Sequence, residues 1–178
     1  MKQAKTILLT GASSGIGLEM AKILAARNHR LVLVSRSSER LEDVATELRR
    51  TTSAEVSTFA IDLSAPEAAE RLFEFCEAHQ FQIDILINNA GFGILDEHVV
   101  IDPIKLRQML QLNVITVAEL CQLFGAQMKH RRSGIILNVA STAAYQATPF
   151  FAAYGASSLL FFACLKHLPR SSKIMVYR

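Results

Sequence analysis

Cysteine is scarce in this chain: Cys76, Cys121 and Cys164 stand far apart, odd in number and with no CxxC pair. Neither a disulfide framework nor a zinc site is therefore indicated, and no metal site is expected. All three fall in apolar helical stretches, where a thiol packs as a small hydrophobe. An excess of charge of one sign is missing too. The formal net charge is +3 and the basic residues are scattered, which argues against a nucleic-acid partner. The one tight group, Lys129-His130-Arg131-Arg132, closes a helical stretch, where cations complement the helix dipole. Long apolar runs are also lacking. No stretch approaches the roughly 20 residues of a membrane span. The apolar run in MKQAKTILLTGASSG is too short for a signal peptide before glycine and serine intervene. A cytoplasmic protein with no membrane partner is expected. With 51% hydrophobic and 20% charged residues among 178, the composition suits one soluble globular domain.

What is present is an alternation. TILLTGA, RLVLVSR, EVSTFAIDL, IDILINNAG and GIILNVAS read as five strands. Leu31–Val34 is an unbroken apolar run, as a parallel strand buried on both faces requires. Between the strands, GIGLEMAKILAARNH, SERLEDVATELRR and APEAAERLFEFCEAH have helical spacing. DPIKLRQMLQLN and VITVAELCQLFGAQMKHRR read as two successive helices, and FAAYGASSLLFFACLKHL as a last one that runs until Pro169. Strands alternating with helices imply right-handed β-α-β units, and so an α/β, Rossmann-like, doubly wound parallel sheet.

The turn after the first strand is Thr10-Gly11-Ala12-Ser13-Ser14-Gly15-Ile16-Gly17. Gly11 permits the tight turn, Gly15 lets backbone approach a pyrophosphate, and Gly17 lets helix pack on strand. The helix N-terminus offers unpaired N–H donors and partial positive charge to phosphates. This GxxxGxG spacing, together with NNAG at Asn88–Gly91, Ser141 in NVAS and Tyr154, resembles the short-chain dehydrogenase/reductase family. The likeness covers nearly everything up to Tyr154. It implies that residues 1–178 are a single NAD(P)-binding Rossmann-like domain, family-like to about residue 156, with an aberrant tail over 157–178. Arg36 stands where an NAD-preferring fold carries an acid, and a guanidinium there can pair with a 2′-phosphate, so NADP(H) is favoured over NAD(H). By the same resemblance Ser13, Ser14, Ile16, Asp62, Leu63, Asn89, Ala90 and Gly91 line the cofactor cleft, with Asp62 at the adenine.

In this family a hydride passes between nicotinamide and the carbon of an alcohol or carbonyl substrate, while a tyrosine moves the proton. The matching residues are Tyr154 as general acid or base, Ser141 on the substrate oxygen and Asn113 organising the relay water. Tyr145 precedes no suitable helix. Where the family carries a lysine four positions after the tyrosine, this chain has Ser158. A free tyrosine has a pKa of about 10, and bringing it near neutrality takes roughly 4 kcal/mol of electrostatic help. Ser158 has no charge to give. The resemblance therefore implies an oxidoreductase with an incomplete catalytic set. A non-catalytic NADP(H)-binding module and an unproductive translation product are the alternatives.

The tail departs in more than this residue. One permitted set of codons for Lys166–Arg178, read in the neighbouring frame, encodes EAFAKELKDYGVS, which is like the family's next helix and strand. Loss of a repeated GCAA near residue 157 turns ASKFA into ASS. A frameshift truncation is the expectation, with the sheet incomplete at its C-terminal edge and GIILNVA left as an unprotected edge strand. The full-length form would be a homodimer or homotetramer built through helices around residues 104–131 and 151–168, of which only the first is intact here.

Overall fold

In the computed structural model, which describes residues 4–146, 148–166 and 173–177, strands and helices alternate along the chain. They are β1 (Thr6–Thr10), α1 (Gly15–Ala26), β2 (Arg30–Ser35), α2 (Ser38–Thr51), β3 (Val56–Ala60), α3 (Ala68–Ala78), β4 (Ile85–Asn88), α4 (Pro103–Leu110), α5 (Val117–His130), β5 (Ile135–Val139), α6 (Ala152–Lys166) and β6 (Lys173–Tyr177). The expected helix end at Pro169 and the side chain of Cys164 lie outside the described part.

The strands form one parallel sheet in the order β3-β2-β1-β4-β5-β6. Alternate side chains feed two cores. Leu8, Val32, Val34, Leu86 and Ile136 pack with α3 and α5 on one face. Ile7, Leu9, Leu31, Leu33 and Ile87 pack with α1 and α2 on the other. That is why the central strands read as unbroken apolar runs. Successive connections leave in opposite directions at β1 and β4, and the crevice beyond the carboxyl ends of those strands is where such sheets bind ligands. Both the glycine loop after β1 and the NNAG segment after β4 open into it.

Three local expectations are corrected. The two helices read over residues 102–132 are one continuous run, because a π-helical segment, Gln111–Thr116, joins α4 to α5. Consequently Pro103–His130, 28 residues with a window of mean hydropathy 1.3, is long and apolar enough to cross a membrane by length and composition, contrary to the reading of the sequence as two shorter pieces. One side of this run (Met109, Leu112, Leu120, Phe124 and Met128) is buried in the protein's core. The third correction concerns β5. It is not a bare edge, because β6 pairs with it in parallel from Ile135↔Lys173 to Val139↔Tyr177. The β-formers Ile174, Val176 and Tyr177 suit this segment to cap the hydrogen-bonding groups that β5 would otherwise expose.

Candidate functional site

Thr10, the last residue of β1, ties the two walls of the crevice together. Its hydroxyl accepts from the N–H groups of Asn89 and Ala90 at 3.0 Å each and donates to the Ile87 carbonyl at 3.4 Å. Asn89 returns the contact, its Nδ2 donating to the carbonyls of Thr10 and Gly11 at 3.1 and 3.3 Å. Gly11 turns at φ +69° and Gly15 at φ +53°, both in the left-handed region that glycine adopts freely. Gly17 is fixed by space instead: a Cβ there would lie 2.1 Å from the Gly11 carbonyl oxygen. The loop is thus closed against α1 as tightly as backbone allows. Ser14 caps α1 without a side-chain hydrogen bond, and no acidic residue occupies its first turn. The first amides of that helix are accordingly left for an anion.

Beside this loop lies an outer cleft of about 380 Å³, lined among others by Gly11, Ser13, Ser14, Ile16, Arg36, Asp62, Leu63, Asn89, Ala90 and Gly91. The structure brings these expected residues together; Gly15, exposed, and Gly17, buried, belong to the same loop but do not line the cleft. Ile16 is apolar and 65% exposed, an uncovered surface between the two clefts. Arg36 leaves the end of β2 exposed, and among the described residues it makes no ion pair. Asp62 Oδ1 accepts from the Ser64 N–H at 2.9 Å and its hydroxyl at 2.7 Å, which holds the chain after β3 in a turn. Arg40, Ser37 and Phe92 also line this cleft and were not singled out from the sequence. For Arg40 the signal was there: it sits one turn along from Arg36 at the start of α2.

Ile16, Asn89, Ala90 and Gly91 are shared with an inner cleft of about 280 Å³, which Asn88, Asn113, Val117, Val139, Ala140, Ser141, Tyr154 and Ser158 complete. So Asn113, Ser141, Tyr154 and Ser158 do converge, from three different parts of the chain: the π-helical segment, the turn after β5, and α6. Tyr154 is held by Phe151, at 5.5 Å between ring centroids, and by Gly93, where a Cβ would come within 3.1 Å of its ring. The Ser141 hydroxyl accepts from the Ala143 N–H at 3.2 Å. Asn113 sits in the π-helical segment, a feature common at functional sites. Both hydrogens of its amide are spent, on the Phe92 carbonyl at 2.9 Å and on Ser157 Oγ at 3.3 Å, while its Oδ1 accepts from the Phe92 N–H at 3.2 Å. Any water Asn113 holds must therefore donate to it. Ser157, which carries no local signal in the sequence, locks α6 to this segment and donates to the Tyr154 carbonyl at 2.8 Å.

Tyr145 lies elsewhere, 51% exposed on a separate cavity of about 590 Å³ between α6 and the turn after β5. Cys76 is buried, and burial first, then Glu77, pushes its thiol up to about 12, as befits a packing residue. Among the described residues no group of acidic, histidine and cysteine side chains could hold a metal.

Residues 5–168 match the family model of the short chain dehydrogenases. The chain is 33% identical over 168 residues to 17-beta-hydroxysteroid dehydrogenase type 3 of Homo sapiens, covering 93% of this chain and 54% of that protein. It is 29% identical over 176 residues to the very-long-chain 3-oxoacyl-CoA reductase of Macaca fascicularis, covering 95% and 56%. It thus spans about half the length of these relatives. A short-chain dehydrogenase from Sphingobium yanoikuyae, solved in complex with NADPH, superposes with a TM-score of 0.85 at 30% identity over 91% of this chain and 63% of that one.

Proposed function

The chain belongs to the short-chain dehydrogenase family, and on that premise we propose that it binds NADP(H) in the paired clefts as the cofactor-binding portion of an oxidoreductase acting on an alcohol or ketone. The observation that carries this reading is the convergence of Asn113, Ser141 and Tyr154 on a cleft continuous with the glycine loop. The residues fit the dinucleotide. The closed Gly11–Gly17 turn and the uncapped start of α1 suit a pyrophosphate, exposed Ile16 offers an apolar contact, and Arg36 suits a 2′-phosphate. When bound, the cofactor would supply a hydride to, or take one from, the substrate carbon. Ser141 hydrogen-bonds the substrate oxygen and orients it. Tyr154 gives that oxygen a proton in reduction and takes it back in oxidation. Asn113 is a positioning residue, holding α6 against the β4 loop through Ser157. Two relatives are named for a hydroxysteroid and a 3-oxoacyl-CoA, which supports a secondary alcohol or ketone as the substrate class here.

Ser158 favours a second feature: nucleotide binding with little or no turnover at neutral pH. It lines the inner cleft beside Tyr154 without a charge to stabilise a phenolate. The test is a fluorescence titration with NADPH and NADH, followed by assay on a panel of ketones. NADPH should bind at least about tenfold more tightly, roughly 1.4 kcal/mol, and reduction should be undetectable without help. Equal affinities would remove the NADP(H) assignment. Neutral-pH turnover that is lost in Tyr154→Phe would show that no cation is needed.

A further inference from the structure

Phe150 is held in a backbone conformation that its side chain disfavours. Its φ is +66°, in the left-handed region, where a bulky residue is an outlier. The other non-glycine residues there, among those described, are Asn28, Glu67, Gln80 and Arg132, all of them polar. Asn28, Gln80 and Arg132 stand just past the ends of α1, α3 and α5, where a left-handed residue closes a helix. Phe150 closes none, since α6 starts after it at Ala152. Its carbonyl accepts from the Asp96 N–H at 3.1 Å, which clasps the loop after β4 to the segment before α6. Gly93, in the same loop, passes so close to Phe151 and Tyr154 that a Cβ there would come within 3.1 Å of either ring. The clasp therefore lies beside Tyr154. Two large apolar side chains are left uncovered at it, Leu95 at 64% and Phe150 at 55% exposure. Backbone strain of this kind persists only where the surrounding structure imposes it, and it gathers at ligand sites.

We propose that Leu95 and Phe150 are specificity-determining residues that grip a flat, uncharged ring system on the substrate, so that the substrate class is an aryl or alicyclic ketone; the class, though not the grip, rests on the reductase reading above. The chemistry of the clasp selects this ligand. A phenyl ring packs on another ring with centroids about 4.5–7 Å apart, and the branched end of a leucine suits the same apolar face. Both side chains are exposed without a ligand, so covering them removes apolar surface from water. Charge disfavours the main alternative, an anionic acyl carrier. Leu95 runs directly into exposed Asp96 and Glu97, whose carboxylates repel a nearby phosphate or carboxylate. Because the clasp adjoins Tyr154, the ring it holds is the one attached to the reacting carbonyl. The strain at Phe150 is then the cost of aiming an aromatic side chain at that ring.

The test is isothermal titration of the whole chain with naphthyl methyl ketone, against the same ketone carrying a ring carboxylate and against acetone, each with and without saturating NADP⁺. The naphthyl ketone should bind at least about tenfold more tightly than either control. Phe150→Gly should weaken that binding about tenfold or more yet melt at or above the parent, since glycine takes a φ of +66° without strain. Phe150→Tyr keeps the ring and should keep the affinity. Leu95→Ser should weaken binding with melting unchanged. Ile23→Ser, which removes an apolar side chain 53% exposed on α1, should change neither. Unchanged affinity in Phe150→Gly and Leu95→Ser, or equal binding of the naphthyl ketone and its carboxylate, overturns the proposal and, if NADPH binds, leaves the reductase reading standing. Should Phe150→Gly both melt lower and bind less, Leu95→Ser decides: weaker binding at unchanged melting keeps the grip, and unchanged binding removes it. Binding of the naphthyl ketone that depends on Phe150, in a chain that takes up no NADPH, keeps the grip and removes the reductase reading.

Discussion

Gly17 and Arg36 carry the sharpest tests at the scale of single residues, because one is constrained by space and the other by charge. A methyl group at Gly17 would sit 2.1 Å from the Gly11 carbonyl oxygen and 2.6 Å from Asn89 Nδ2, against backbone on one side and the clasp to β4 on the other. Neither can retreat without opening the loop. Gly17→Ala should therefore cost about 1–3 kcal/mol of stability, the usual penalty of overpacking, and weaken NADPH binding by a larger factor than that loss alone explains. Urea unfolding and a fluorescence titration on the same preparation check both. Arg36 is exposed, so Arg36→Asp should leave unfolding unchanged within about 0.5 kcal/mol while erasing or reversing the preference for NADPH. The glycines and Arg36 were legible in the sequence because each sits at a fixed distance from a strand end. Thr10 and Ser157 were not: their work is done across 79 and 44 positions of sequence, and a lone hydroxyl gives no local signal of such contacts.

Elements differ in how plainly the sequence announces them. Strands β1, β2 and β4 show as apolar runs because both faces of each are covered, whereas β3 at the sheet's edge is mixed and partly exposed. The join between α4 and α5 does not show, since Gln111–Thr116 contains neither glycine nor proline and its π geometry answers to packing around Asn113 and to Thr116, whose hydroxyl donates to the Leu63 carbonyl at 2.8 Å. At the next turn of α5, Glu119 carries a buried Oε2 without a partner. Burial first, and then the facing Glu70 on α3, raises its carboxyl above the ordinary range. The sign follows from linkage: the folded state holds this proton more tightly than the unfolded one, so stability falls as pH rises through the raised value. Glu119→Gln should thus be more stable than the parent at neutral pH, with the difference vanishing below the unfolded glutamate range near 4.3. Denaturation midpoints at neutral and acid pH decide it; an equal gain at both would mean packing rather than charge. Phe124, which is 1% exposed in the core one turn further on, gives the contrasting case. Phe124→Ala should cost about 3–5 kcal/mol with little pH dependence.

For the whole molecule, the sheet's two ends have different jobs. The clefts sit at the β1–β4 switch, and β6 lies beyond β5, two places from β4 in the strand order. That separation predicts that the last strand serves solubility and stability more than ligand binding. The sequence suggested a bare β5, because a frameshift near residue 157 implies an aberrant tail; yet the family match runs on to residue 168, and Lys173–Tyr177 pairs with Ile135–Val139, so the tail itself covers the edge. A chain ending at Lys166 would lose that cover. The N–H and C=O groups on the outer side of β5 would then face water in a row, ready to pair with the same row on another molecule. Such a chain should melt lower and associate as its concentration rises. Its monomeric fraction should still bind NADPH within about threefold of the parent, under 1 kcal/mol, since the glycine loop, Arg36 and the NNAG segment rest on β1, β2 and β4. Thermal unfolding, light scattering across a concentration series and a fluorescence titration at the lowest concentration separate these effects. If the shortened chain stays monodisperse and melts where the parent does, β6 contributes nothing to the sheet's stability. If it stays soluble but loses NADPH, β6 reaches the clefts by a route that strand order does not suggest.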